Sequence, residues 1–193
     1  YFFSIIEIDF AEEEDQTAKI RYDAEYYAMG LRGYLGGYAS YYSEFVYETG
    51  TSYKLNSAEE RSINAIALNC GLDIYFTLPT LPVLSLQYAF GSGDKDRGSY
   101  SVPNANTNSD DNGFMYFGTF HGGYGLRPIL ANLHVFRAGF SLAPFWNSTT
   151  PSLKRVTIIA KYSYYMKYYS SGIINNGEAP LDDRDVGHGI DLA

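Results

Sequence analysis

LKRVTIIAKYSYYMKYY, residues 153–169, alternates two kinds of side chain with a period of two. Val156, Ile158, Ala160, Tyr162, Tyr164 and Met166 share one face of an extended chain. Arg155, Thr157, Ile159, Lys161, Ser163, Tyr165 and Lys167 share the other. Successive side chains of a strand point to opposite faces, whereas the 3.6-residue period of a helix would mix these two sets. The stretch therefore predicts a strand with one oily and one polar face.

The same alternation recurs on both sides of it. In VLSLQYAFGSG (83–93), Leu84, Leu86, Tyr88 and Phe90 oppose Ser85, Gln87, Ala89 and Gly91. Over 61–77, Ile66, Leu68, Cys70, Leu72, Ile74 and Phe76 oppose Ala65, Ala67, Asn69, Gly71 and Asp73. Residues 134–145 set Phe136, Ala138, Phe140 and Leu142 against Arg137, Gly139, Ser141 and Ala143. In 1–10, Phe2, Ile6, Ile8 and Phe10 oppose Ile5, Glu7 and Asp9, and in 40–50 Phe45 and Tyr47 oppose Glu44 and Glu48. Residues 19–33 alternate less cleanly, and GHGIDLA (187–193) begins another strand. About eight strands result.

The connections alternate too. LGGYAS (35–40), TLPTLP (77–82) and WNSTTPS (146–152) are compact, while EEEDQT (12–17), TSYKLNSAEE (51–60), the segment 93–131 and SSGIINNGEAPLDDRDV (170–186) are longer or more polar. Short turns at one end and long loops at the other are the asymmetry of outer-membrane barrels, whose strands need only about 9 to 11 residues with every second one apolar. The fold class expected is all-β: a transmembrane antiparallel up-and-down β-barrel, in a single domain over 1–193 with a long extracellular loop at about 93–131. Tyr1 and Ala193 both lie inside strands, which suggests a section of a wider barrel, and any export leader is expected upstream of Tyr1.

Composition agrees. Tyr occurs 20 times, Phe 12 times and Gly 19 times in 193 residues, which suits strands with aromatic residues at an interface and Gly where backbones crowd. No apolar run approaches the 18 or so residues that suggest a membrane helix. A net charge of -8 without a basic stripe argues against nucleic acid. Cys70 is the only cysteine, so no internal disulfide forms, and its place on the oily face marks it as inert. His121, His134 and His188 show no metal-ligand spacing, and no catalytic signature stands out; neither an enzyme nor a cofactor is expected.

The string LSLQYAFGSGD (84–94) resembles the alginate export family of outer-membrane barrels. The likeness extends upstream to Gly30–Gly33 and Tyr41–Gly50. Downstream it takes in Leu126, Arg127 and Pro128, then Leu130, Asn132 and Leu133 followed by HVFRAGFSLAPF, and near the end Gly187, His188, Ile190, Asp191 and Leu192. The resemblance implies the later strands of a large monomeric barrel with a selective polysaccharide pore in the bacterial outer membrane. Its partners would be membrane lipid, lipopolysaccharide and an anionic or neutral polysaccharide. An alginate pore needs cationic partners along the path of a carboxylated polymer. Here the inward face offers Arg32, Arg137, Arg155, Lys161 and Lys167, but also Glu7, Asp9, Glu44, Glu48 and Asp73, and FMYFGTFHGGYG (114–125) holds no Arg.

Two readings of these inward charges stand side by side: a ladder that guides a solute, with Tyr165 and Tyr169 as sugar contacts, or a lattice of ion pairs that stiffens a hydrated lumen. The loop after Phe90, with Asp94, Asp96 and Arg97, reads as a solvated loop, a pore-folding gate or, through its oxygens, a hard-cation site. The function expected is a channel or exporter-like porin passing a polysaccharide or small polar solute. The alternative is a non-transporting barrel that serves as scaffold or sheath for a periplasmic partner protein.

Overall fold

Eight strands account for nearly all the regular structure of the computed structural model, which describes residues 1–8, 21–100, 105–116, 120, 123, 128–174 and 182–193. They are β1 (Phe2–Glu7), β2 (Asp23–Leu35), β3 (Ala39–Tyr53), β4 (Glu60–Tyr75), β5 (Val83–Gly91), β6 (Leu133–Leu142), β7 (Ile158–Lys167) and β8 (Asp185–Leu192), with a helical turn, α1 (Pro151–Lys154), between β6 and β7. They form one antiparallel sheet in sequence order, β1 to β8, each strand paired with its chain neighbours. The sheet does not close on itself, in keeping with a section of a larger barrel wall. The expected Asp9 and Phe10, with the EEEDQT segment, lie outside the described residues.

Parity assigns the two faces. Tyr27, Met29, Leu31, Phe45, Ile66, Leu86, Phe136, Phe140, Ile158, Tyr162, Ile190 and Leu192 are large, apolar and exposed on the outer face. The outer face of β4 is apolar from Ile66 to Ile74, nine residues by numbering, and turns polar at Asn64 and Ser62. Nine residues match the strand length of a bilayer crossing, about 9 to 11. Carried along the register, this band covers Ala39–Tyr47 of β3 and Tyr27–Leu35 of β2, so the loop-proximal parts of β3 and β4 stand above it. We expect Leu86→Arg on this face to lower the folding stability of the full-length barrel by about 2–4 kcal/mol, and Ser85→Arg, one residue away on the inner face, to cost much less. Urea titration of refolding into lipid vesicles measures both. Equal losses would sink the assignment of faces.

Tight packing within the sheet explains several small residues. Tyr42 lies across Gly71, its register partner, so close that a Cβ on Gly71 would meet the ring at 2.4 Å. Gly36 turns β2 into β3 with φ of 61°, a left-handed conformation that a side chain disfavours.

Two expectations need correction. Residues 153–157 do not join β7, and Arg155 is the exposed C-cap of α1 rather than an inward strand residue. The ladder stops at Leu142 opposite Ile158, because the next partners would be Ala143, whose N–H is bound to the Thr80 carbonyl at 2.7 Å, and Pro144, which has none. Pro151 then favours a helical first turn. The second correction concerns the loops. β3 and β4 extend through much of the polar segment 51–60 and leave only residues 54–59 between them, whereas the supposedly compact β6–β7 connection runs from 143 to 157.

Candidate functional site: the inner face and the loop folded onto it

At the long-loop end the inner face is floored by Ala24, Ala28, Ala65, Ala67 and Ala89, all nearly or fully buried. Small side chains leave room above the sheet, and the segment after β5 fills it. Phe114, 1% exposed, drops onto this floor among Ile63, Val46 and Tyr26, meeting the Tyr26 ring edge-on at 6.3 Å. The Asp111 N–H donates to the Ser62 carbonyl at 2.8 Å, and the Asn64 N–H to the Asp111 carbonyl at 2.9 Å, a parallel bridge between loop and β4.

Charge inside the loop is paired. Arg97 and Asp111, both side chains fully buried, form an ion pair, and the Arg97 Nε donates to the Ser99 carbonyl at 2.8 Å. Its guanidinium also lies 5.3 Å from the Tyr100 ring centre, within cation–π range. Burial pushes the Asp111 carboxyl above the usual carboxylate range while the guanidinium opposes it. Asp94 accepts N–H groups from Asp96 at 2.8 Å, from Asn112 at 3.0 Å and from the Asn106 amide at 3.0 Å, so its oxygens are committed to holding the loop together. Asp96 is half-buried and its carbonyl accepts the Thr107 hydroxyl at 3.0 Å. The solvated-loop reading is thereby corrected: Asp94 and Arg97, each 2% exposed, are interior residues.

Glu48 fastens this loop to the sheet. Its carboxylate accepts the Tyr22 hydroxyl, the Tyr26 hydroxyl at 3.0 Å and the Met115 N–H at 2.9 Å. Burial pushes the Tyr22 phenol up, and the Glu48 charge adds to it, so the phenol stays a donor. Asn132 fastens the returning limb. It is fully buried with φ of 51°, and exchanges a pair of hydrogen bonds with the backbone of Tyr169, at 2.8 and 3.0 Å, while its own N–H donates to Ser92. Tyr165 and Lys167, each 2% exposed, end up beneath these segments. Tyr165 does point inward, but it is covered and offers no ring to a passing sugar; Tyr169 is exposed beyond the end of β7.

Below the loop the inner face lies open. The Gln87 amide donates to Asn69 Oδ1 at 2.9 Å, Arg137 Nη1 to Gln87 Oε1 at 2.9 Å, and Arg137 Nε to Ser163 Oγ at 3.0 Å, a polar belt across β4, β5, β6 and β7. Lys161 stands opposite Asp191 in register, Asp73 opposite Ser85, Glu44 opposite Asn69 and Arg32 opposite Tyr42. On the open part of the bilayer-level band the described strands thus turn inward three bases, Arg32, Arg137 and Lys161, and three acids, Glu44, Asp73 and Asp191, while a fourth base, Lys167, lies at the same level under the loop. Of the residues expected on this face, Arg32, Glu44, Asp73, Arg137 and Lys161 line the open part, whereas Glu48, Tyr165 and Lys167 lie under the loop. Asp111, read only among the loop oxygens open to a hard cation, was not foreseen as an ion-pair partner, nor were Asn106 and Asn132 as anchors; Asn132 alone left a signal, the asparagine between Ala131 and Leu133 just before β6.

An up-and-down sheet with an apolar outer face, a charged inner face and a loop packed against the latter is the wall of a membrane β-barrel. The chain belongs to the alginate export family, whose family model matches residues 7–193. No curated protein matches it. The family is one of outer-membrane transport rather than of enzymes.

Proposed function

We propose that the protein is a bacterial outer-membrane channel of the exporter type. It passes a polysaccharide or small polar solute through a hydrated, charge-lined pore narrowed by the extracellular loop between β5 and β6. The observation that carries this reading is the descent of that loop to the bilayer level. Phe114, Tyr116 and Phe120 reach Glu44, which lies nine residues below the Tyr53 end of β3, roughly 30 Å along the strand at about 3.3 Å per residue. A solute must pass between the loop and the partly exposed belt of Asn69, Gln87 and Arg137.

Neither catalysis nor a cofactor is required. Selection rests on width and on repeated weak polar contacts that let a chain enter and leave. The full-length protein in planar bilayers is expected to give steady ion conductance. A protein that inserts and yet gives no conductance at any salt concentration would overturn the reading.

A further inference from the structure

One cleft opens where the loop meets the lower inner face. Phe3, Phe114, Tyr116 and Phe120 surround it, with Glu44 and Asn69 at its polar edge. Phe114 and Tyr116 stand at 62° with ring centres 6.2 Å apart, Tyr116 and Phe120 at 72° and 6.1 Å, an edge-to-face cluster in which Phe114 is covered while Tyr116 and Phe120 are half-buried at the cleft. Glu44 is half-buried and takes a hydrogen bond from the Tyr1 hydroxyl. Its charge, after burial, is what pushes the Tyr116 phenol up. Asn69 is oriented by the Gln87 amide that donates to its Oδ1 at 2.9 Å.

A pyranose ring has an apolar C–H face and an equatorial rim of hydroxyls. Aromatic planes suit the first, and a carboxylate with an amide suits the second, because hydroxyl donors to a carboxylate make charge-assisted bonds. A uronate ring has the same face but brings its own carboxylate against Glu44, and like charges at this distance repel. Nor does the open part of the level collect cations, since its three bases, Arg32, Arg137 and Lys161, balance its three acids, and Lys167 at the same level is covered by the loop. We infer that this cleft is a binding site for a neutral sugar ring of the transported glycan, read by aromatic stacking and by Glu44. The inference rests on the channel reading and narrows its solute.

Current interruptions in the full-length channel test it, with maltohexaose, a hexamer of uronic acid and a hexamer of glucosamine as probes. Maltohexaose is expected to interrupt the current at about one-tenth the concentration of the uronate hexamer or less. Tyr116→Ala should weaken maltohexaose about five- to tenfold, the size of one lost ring contact. Glu44→Gln, which keeps shape and loses charge, should retain maltohexaose binding within a fewfold and let the uronate hexamer approach it. If Tyr116→Ala does not assemble, Glu44→Gln carries the test alone. A channel that conducts but ignores all three probes overturns the site and leaves the channel standing, as does one that prefers uronate. Preference for the glucosamine hexamer, lost in Glu44→Gln, would make the cleft a cation site and overturn the neutral-sugar assignment. Absence of conductance overturns the channel itself.

Discussion

Asp111→Ala is expected to free the loop between β5 and β6 from the inner face and to raise the single-channel conductance of the full-length protein. Both members of the Arg97–Asp111 pair are fully buried, so the substitution strands a guanidinium away from water. Removing one partner of such a pair costs about 3–5 kcal/mol. The Gly113 N–H, which donates to Asp111 at 3.3 Å, loses its acceptor as well. What remains at that point is the backbone bridge to Ser62 and Asn64, two hydrogen bonds worth about 0.5–1.5 kcal/mol each. The penalty wins, and amide exchange at Asn64 should accelerate together with the conductance change. Arg97→Met combined with Asp111→Leu should recover much of the loss, because an apolar pair of similar volume is tolerated where a lone charge is not. Removal of Arg61, whose bridge to Glu59 at 2.8 Å is partly exposed, should change little, about 1 kcal/mol at most. Unchanged exchange and conductance in Asp111→Ala would show that the pair does not hold the loop.

Much of this architecture is written in period two. Once Leu86 faces out and Gln87 in, every position of a paired strand follows, which is why parity placed Glu44, Asp73, Arg137 and Lys161 on the inner face and Phe136 and Tyr162 on the outer. The same logic overreached at Arg155, since alternation continues through 155–157 while the ladder ends for a reason located in another strand, at Pro144. Burial by the loop was invisible for a related cause. Glu48 and Met115 stand 67 residues apart, and Tyr26 and Met115 stand 89 apart. Nothing local in Asp94, Arg97 or Asp111 distinguishes a charge destined for the interior from one in a solvated loop. The alanines of the inner face were the missed hint. Ala24, Ala28, Ala65, Ala67 and Ala89 sit where a water-filled lumen would expect polar side chains, and small apolar residues there signal that something packs on top.

Phe114→Ala follows from that alanine floor and should release the same loop by a different route. The ring is 1% exposed, and truncating a buried Phe costs about 3–5 kcal/mol, a transfer loss plus a cavity. Where in that range it falls depends on how far the surroundings collapse. Beneath Phe114 lie methyl groups on a hydrogen-bonded sheet, which do not reach upward, and beside it Tyr26 is held by its hydroxyl bond to Glu48 at 3.0 Å. The cavity therefore stays open and the cost falls toward the upper end. Phe114→Leu, which refills most of the space, should lose much less. Amide exchange separates this from a general loss of stability: the Met115 and Asp111 N–H groups should exchange faster while those in the middle of β5 and β6 keep their protection. Because Phe114 also roofs the cleft beside Glu44, conductance should rise and maltohexaose should block more weakly in the same variant. Asp111→Ala acts on the loop from further away, so its sugar binding should suffer only to the extent that the loop has left. Protection retained at Met115 in Phe114→Ala would mean that the polar anchors, Glu48, the Arg97–Asp111 pair and the bridge to Ser62 and Asn64, hold the segment by themselves, and that the alanine floor contributes shape but little holding force.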